Sequence, residues 1–110
     1  MKKTLMIFAL LYANVTLPVF AQGADVHGLS VGYVYQFDSP DPTVFDIDIP
    51  ARPHACGTTL YRSTSDSEAI ANRKFTLVVT AFTANKKIAF RETGECEGNR
   101  MKVAWIRLTN

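Results

Sequence analysis

The chain has 110 residues, twelve lysines and arginines against ten aspartates and glutamates, and two cysteines, enough for one small domain and too little for two. Lys2 and Lys3 account for the whole formal charge of +2, and from residue 22 onward ten basic and ten acidic residues balance. That balance argues against nucleic acid or an anionic membrane surface as a partner.

Met1-Lys2-Lys3 is a short basic region, Thr4 to Phe20 is an uncharged apolar run broken by Asn14 and Pro18, and Val19-Phe20-Ala21 places small residues three and one before a cut. The pattern predicts a secretory signal peptide over residues 1–21. The run is shorter than the roughly 20 residues a spanning helix needs, so membrane insertion is not expected. Removing 21 of the 110 residues leaves 89, a single domain over residues 22–110, exported to the periplasm or secreted.

Val26 to Phe37 reads as a strand in which Val31, Tyr33, Tyr35 and Phe37 share a face and Gly28 and Gly32 permit a bend or bulge. Asp38 to Pro42 is the first hairpin loop, rich in turn formers. Val44 to Ile49 alternates strictly, so Phe45, Ile47 and Ile49 face a core and Asp46 and Asp48 face away. Paired carboxylates on one face serve acid–base chemistry or a cation, but without a third acidic neighbour they read as a solvated face. Pro50 to Pro53 breaks the pattern, and Ala55 to Tyr61 resumes a short strand with Cys56 and Leu60 inward.

From Ser63 to Asn85 propensity and spacing disagree. The segment FTLVVTAFT favours strand, whereas Ile70 or Ala71, Phe75, Val78 and Phe82 recur at steps of three and four. Ser65 with Glu68 fits a capping box, and Asn85 before Lys86-Lys87 fits a helix end. The spacing predicts a helix over Asp66 to Ala84. Ile88 to Arg91 follows as a strand, Glu92 to Asn99 turns the chain, and Lys102 to Leu108 returns with Val103, Trp105 and Arg107 on one face. The expected fold is α+β, mainly β: a five-stranded curled sheet or partly open barrel with one helix, in the order β-β-β-α-β-β.

Cys56 and Cys96 are an even pair in a chain expected to be exported, which predicts a disulfide. His54 two places before Cys56 raises a metal or nucleophile reading, but no C-x-x-C pair accompanies it and an exported thiol is oxidised. No hydrolase, zinc or phosphate-loop motif is present, so neither an enzyme nor a cofactor is expected. Tyr33, Tyr35, Tyr61, Trp105, Ser30 and Thr58 are the parts carbohydrate sites use, rings to stack on a sugar and hydroxyls to bond its rim. Each aromatic also has an ordinary place in a core, above all Trp105.

The run ACGTTLY, the helix ending TANKK, the strand KKIAF, the second cysteine in TGEC and the final MKVAWIRL together resemble the B subunits of subtilase-cytotoxin-like and pertussis-like bacterial toxins, over residues 26 to 108. The resemblance implies an oligonucleotide/oligosaccharide-binding (OB) type fold, a ring of five copies, recognition of a cell-surface glycan of sialoside type, and delivery of a separate catalytic A subunit. It also implies that Ser30, similar in position to a serine that contacts sialic acid, joins Tyr33 and Tyr35 in the glycan site. This chain is shorter than those subunits and has one candidate disulfide where they often have more. The alternative is a periplasmic or secreted protein of structural or inhibitory role, binding another protein through a sheet edge or through the loops at Asp38 to Pro42 and Glu92 to Asn99.

Overall fold

The computed structural model describes residues 23–36 and 41–109; the expected signal segment, Phe37 and most of the Asp38 to Pro42 loop lie outside them. In chain order the elements are β1 (Ala24–Ser30), β2 (Tyr33–Tyr35), β3 (Val44–Asp48), β4 (Leu60–Thr64), α1 (Glu68–Thr83), β5 (Lys87–Glu97) and β6 (Arg100–Thr109). They form one six-stranded sheet in the order β1-β5-β6-β4-β3-β2. All neighbours are antiparallel except β4 and β6, which run parallel in the register Tyr61 to Met101. With β1 and β2 taken as one bent strand, this is the strand order of an OB-like sheet, mainly β with one helix, as the sequence predicts.

Six strands replace the expected five because Val26 to Phe37 breaks at Val31-Gly32. The two halves lie at opposite edges of the sheet and are joined by only these two residues, so the sheet must curl to bring its edges together. The break also resets the side-chain alternation. Val31 and Val34 both face the core, while Tyr33 and Tyr35 face outward, so Val31 does not share a face with the tyrosines. Gly32 donates its N–H to Asp48 O at 2.8 Å. A Cβ at Gly32 would stand 2.7 Å from Pro50 Cγ and 2.8 Å from Asp48 Oδ2, which only glycine avoids.

Two bulges act in the same way. Between Val26 and Leu29, β1 spends one more residue than β5, at His27-Gly28, where Gly28 has φ 70°. Between Val103 and Ile106, β6 spends one more than β5, at Ala104-Trp105. Val103 and Ile106 therefore both reach the core, and Trp105 and Arg107 are carried to the outer face, which corrects the expected grouping of Val103 with Trp105.

β4 begins at Leu60 rather than Ala55, because Gly57 (φ 98°) donates to His54 O at 3.1 Å and His54 N–H to Thr58 O at 3.0 Å, which folds Cys56 into a turn. The inward residues of β4 are Tyr61 and Ser63. β5 runs through the expected turn as far as Glu97, and Gly98 (φ 63°) and Asn99 close a two-residue hairpin with glycine at its first central position.

The helix forms where the spacing places it, with Ser67 rather than Ser65 as the N-cap: Ser67 Oγ accepts from Ile70 N–H at 3.2 Å. Thr80 and Thr83 turn their hydroxyls to the carbonyls of Thr76 and Val79, which satisfies those hydroxyls within the helix. Ala71, Val78 and Ala81 are buried, Phe75 packs edge-on against Phe45 with ring centroids 5.2 Å apart, and Phe82, expected inward, is 48% exposed. Asn85 ends the helix in the left-handed region at φ 55°. The helix covers the core face of the sheet, on which Phe45, Ile47, Ile49, Tyr61, Ile88, Phe90, Met101 and Val103 gather.

Candidate functional site

The face of the sheet turned away from the helix is polar, and it starts at Tyr33 and Tyr35 on β2. Register sets Tyr33 opposite Asp48 and Tyr35 opposite Asp46, and Asp46 in turn opposite Arg62 on β4. The two tyrosine rings lie 5.6 Å apart, tilted by 40°, and Tyr33 is 46% exposed. They form an aromatic platform beside a row of charges.

Asp46 is the hub of that row. Its side chain is 0% exposed, so it is not the solvated carboxylate the alternation suggests. Arg62 grips it with a fork, Nε to Oδ1 at 2.8 Å and Nη2 to Oδ2 at 3.0 Å, and Arg100 Nε donates to Oδ2 at 2.6 Å. Burial pushes the carboxyl up, but the hydrogen bonds and charges of Arg62 and Arg100 outweigh it and hold Asp46 below the ordinary range. Arg100 then donates from Nη2 to Tyr35 Oη at 3.1 Å and from Nη1 to Asn99 Oδ1 at 2.9 Å, while Arg62 Nη1 pairs with Glu97. The network holds the Tyr35 hydroxyl and so anchors the ring beside Tyr33. Asp48 accepts from Thr59 Oγ1 at 2.6 Å, so it too is a rigid acceptor beside Tyr33.

The carboxylate at the centre of this arrangement accepts three bonds from two permanent cations and stays ionised. The outer parts of the arrangement offer one exposed ring, one anchored phenol and carboxylate and hydroxyl oxygens at the rim. Such parts suit the faces and edges of a sugar.

Ser30 is exposed at the end of β1, opposite Lys87 of β5 and across the Val31-Gly32 break from Tyr33. Ser30 and the tyrosines both lie on the outer face, but on strands at opposite edges of the sheet order, so the three are neighbours in sequence on two arms of one bent strand.

Cys56 and Cys96 form the expected disulfide, with Cα atoms 5.7 Å apart, tying the loop before β4 to the end of β5. His54 has structural work beside it. Its Nδ1 accepts from Cys56 N–H at 3.1 Å, so the ring proton sits on Nε2, which meets Leu60 O at 2.6 Å. With the thiol oxidised and both ring nitrogens engaged, the His54–Cys56 pair is no nucleophile. Among the described residues no three His, Cys, Asp or Glu side chains converge as metal ligands.

A second buried carboxylate braces the same loop. Glu92 takes Arg52 Nε at 2.8 Å and meets the Tyr61 hydroxyl at 2.9 Å. Burial works against its ionisation, and the bonds from Arg52 and Tyr61 overcome that and lower its pKa. Tyr61, buried beside that carboxylate, is pushed well above the usual phenol range.

Comparison with protein-family models, curated proteins and solved structures finds no match. Among the described residues no helix is long and apolar enough to cross a membrane.

Sequence reasoning reaches Tyr33, Tyr35 and both aspartates but misses Arg62 and Arg100. Arg62 lies just past the expected end of its strand, and the expected inward Leu60 would have turned it to the core, whereas Tyr61 and Ser63 are the inward residues and Leu60 and Arg62 share the outer face. Arg100 comes beside Asp46 only through the parallel pairing of β4 with β6, for which the local pattern carries no signal.

Proposed function

We propose that the chain is an exported, non-enzymatic carbohydrate-binding domain whose sugar platform is Tyr33 and Tyr35, with Ser30 and Asp48 at its rim. The observation that carries this is the exposed Tyr33 ring set against Tyr35, itself anchored by Arg100 and Asp46, on the outer face of β2 and β3. OB-like sheets take oligosaccharides and oligonucleotides on the face of their second and third strands, here β3 and β4 beside the tyrosines of β2, and the charge balance disfavours the latter. On this reading the protein is a toxin-type B subunit that assembles as a homopentamer, recognises a sialoside-like cell-surface glycan and carries a catalytic A subunit.

A glycan array probed with the secreted, oxidised protein tests the site: sialosides are bound by the native chain and at least tenfold less by Tyr33→Ala and Ser30→Ala. Binding unchanged in both variants would remove these residues from the site. Native mass spectrometry tests the assembly, a ring of five supporting it and a strict monomer at high concentration opposing it.

One observation favours a second reading, a periplasmic or secreted protein that binds another protein. β6 pairs with β4 only at Met101 to Val103 and the Ala104 carbonyl accepts from Lys74 Nζ, so among the described residues no strand takes the β4 side of Trp105 to Thr109, an edge that strand addition could use.

A further inference from the structure

The other half of the outer face, on β1, β5 and β6, carries a constellation that neither the tyrosine platform nor the core uses. Ala89 of β5 faces outward there and yet is 0% exposed. Arg107 is its register partner on β6, and the His27-Gly28 bulge lies across from it on β1. The small side chain of Ala89 lets its two neighbours lean together above it, bringing Arg107 Nη2 within 3.4 Å of His27 Nδ1. The guanidinium also stands over the Trp105 ring, 5.2 Å from its centroid, within cation–π range. In the next outward row Lys87 pairs with Ser30 on one side and Thr109 on the other.

The charges of this half do not close on themselves. Asp25, the carboxylate on the same face, is taken by Arg91 at 2.7 Å. Among the described residues Arg107 and Lys87 have no carboxylate within ion-pair distance. Arg107 therefore keeps nearly its whole planar fork of donors for a ligand, its polar contact with His27, at 3.4 Å, being longer than an ordinary hydrogen bond. With Nδ1 turned to Arg107, His27 presents its Nε2–H outward as a further donor.

We propose that Arg107, His27 and Trp105 form a second ligand site, one that takes the carboxylate of an acidic sugar. The carboxylate accepts two parallel N–H bonds from the Arg107 fork, Lys87 adds long-range attraction, and the apolar face of the sugar ring lies along Trp105. The sugar ring rests on the carbohydrate reading above, whereas the carboxylate contact stands on Arg107 and His27 alone.

The test is an NMR titration of the oxidised chain with D-glucuronate, its methyl ester and glucose, following the Trp105 indole N–H. Expected are a saturable shift with glucuronate and at least tenfold weaker responses to the two neutral sugars. Arg107→Gln loses the glucuronate response at least tenfold, Arg107→Lys weakens it, and Tyr33→Ala leaves it intact, each variant keeping the native amide spectrum elsewhere. An equal response to the ester, or full binding by Arg107→Gln or Arg107→Lys, overturns the site. Loss in Tyr33→Ala with retention in Arg107→Gln overturns it as well and leaves the tyrosine platform standing. Conversely, an Arg107-dependent glucuronate shift together with array binding that Tyr33→Ala and Ser30→Ala leave unchanged sinks the tyrosine platform and keeps this site.

Discussion

Replacing Asp46 by asparagine removes the charge on which two arginines converge and changes almost no volume. The carboxylate accepts three bonds, at 2.8, 3.0 and 2.6 Å, from Arg62 and Arg100. Hydrogen bonds to charged groups contribute about 1.5–3 kcal/mol each, and removing one partner of a buried pair costs about 3–5 kcal/mol. The arginine side chains are 15% and 27% exposed and so recover part of their hydration, and the asparagine oxygen keeps one bond. A loss of about 3 kcal/mol follows, at the lower end of those ranges. For a domain of this size that corresponds to a fall in Tm of roughly 12–24 °C. Thermal and urea unfolding of the oxidised protein at pH 7, followed by circular dichroism, measures it, with the urea slope expected to stay constant. Combining Asp46→Leu with Arg62→Met should cost less than Asp46→Leu alone, because one fewer cation is left beside an apolar group. A Tm for Asp46→Asn within about 4 °C of the native protein, which is about 1 kcal/mol or less, would refute the view that Asp46 organises this face.

Stability should fall in acid. Asp46 and Glu92 both have pKa values lowered in the folded chain, so the unfolded chain binds more protons. Their contribution is complete above the ordinary carboxylate range, about pH 4, and is lost as pH drops through the lowered folded values. Urea midpoints measured from pH 7 down to pH 2 should be flat at first and then decline, and Glu92→Gln should flatten the decline; a midpoint rising below pH 4 would contradict the assignment. The disulfide joins residues 40 apart, a loop whose closure is worth about 4 kcal/mol in the chain-entropy account. The Cys56→Ser, Cys96→Ser double variant should lose a stability of that order in urea unfolding, and a loss under about 1 kcal/mol would show that the core suffices without the staple.

Much of this molecule is legible along the chain, for reasons that are local. Strict alternation from Val44 to Ile49 suffices to turn Phe45, Ile47 and Ile49 inward, because a strand sends successive side chains to opposite faces. The apolar spacing of Ala71, Phe75 and Val78 outweighs the strand preference of the residues between them, since those positions share one helical face and that face has a core to cover. The pairing of Cys56 with Cys96 follows from there being only two cysteines.

What tertiary structure alone decides is every feature that depends on register between distant strands. A bulge adds one residue and inverts the alternation beyond it, so Trp105 leaves the core side for the outer face, and the break between β1 and β2 parts Val31 from Tyr33. The parallel pairing of β4 with β6 brings Arg100 to Asp46, 54 residues away, and turns an aspartate that reads as solvated into the buried centre of a charge network. Periodicity is a property of neighbours in sequence. The partner of a charge is a property of neighbours across a sheet, and which strands are neighbours is settled only when the whole sheet has curled.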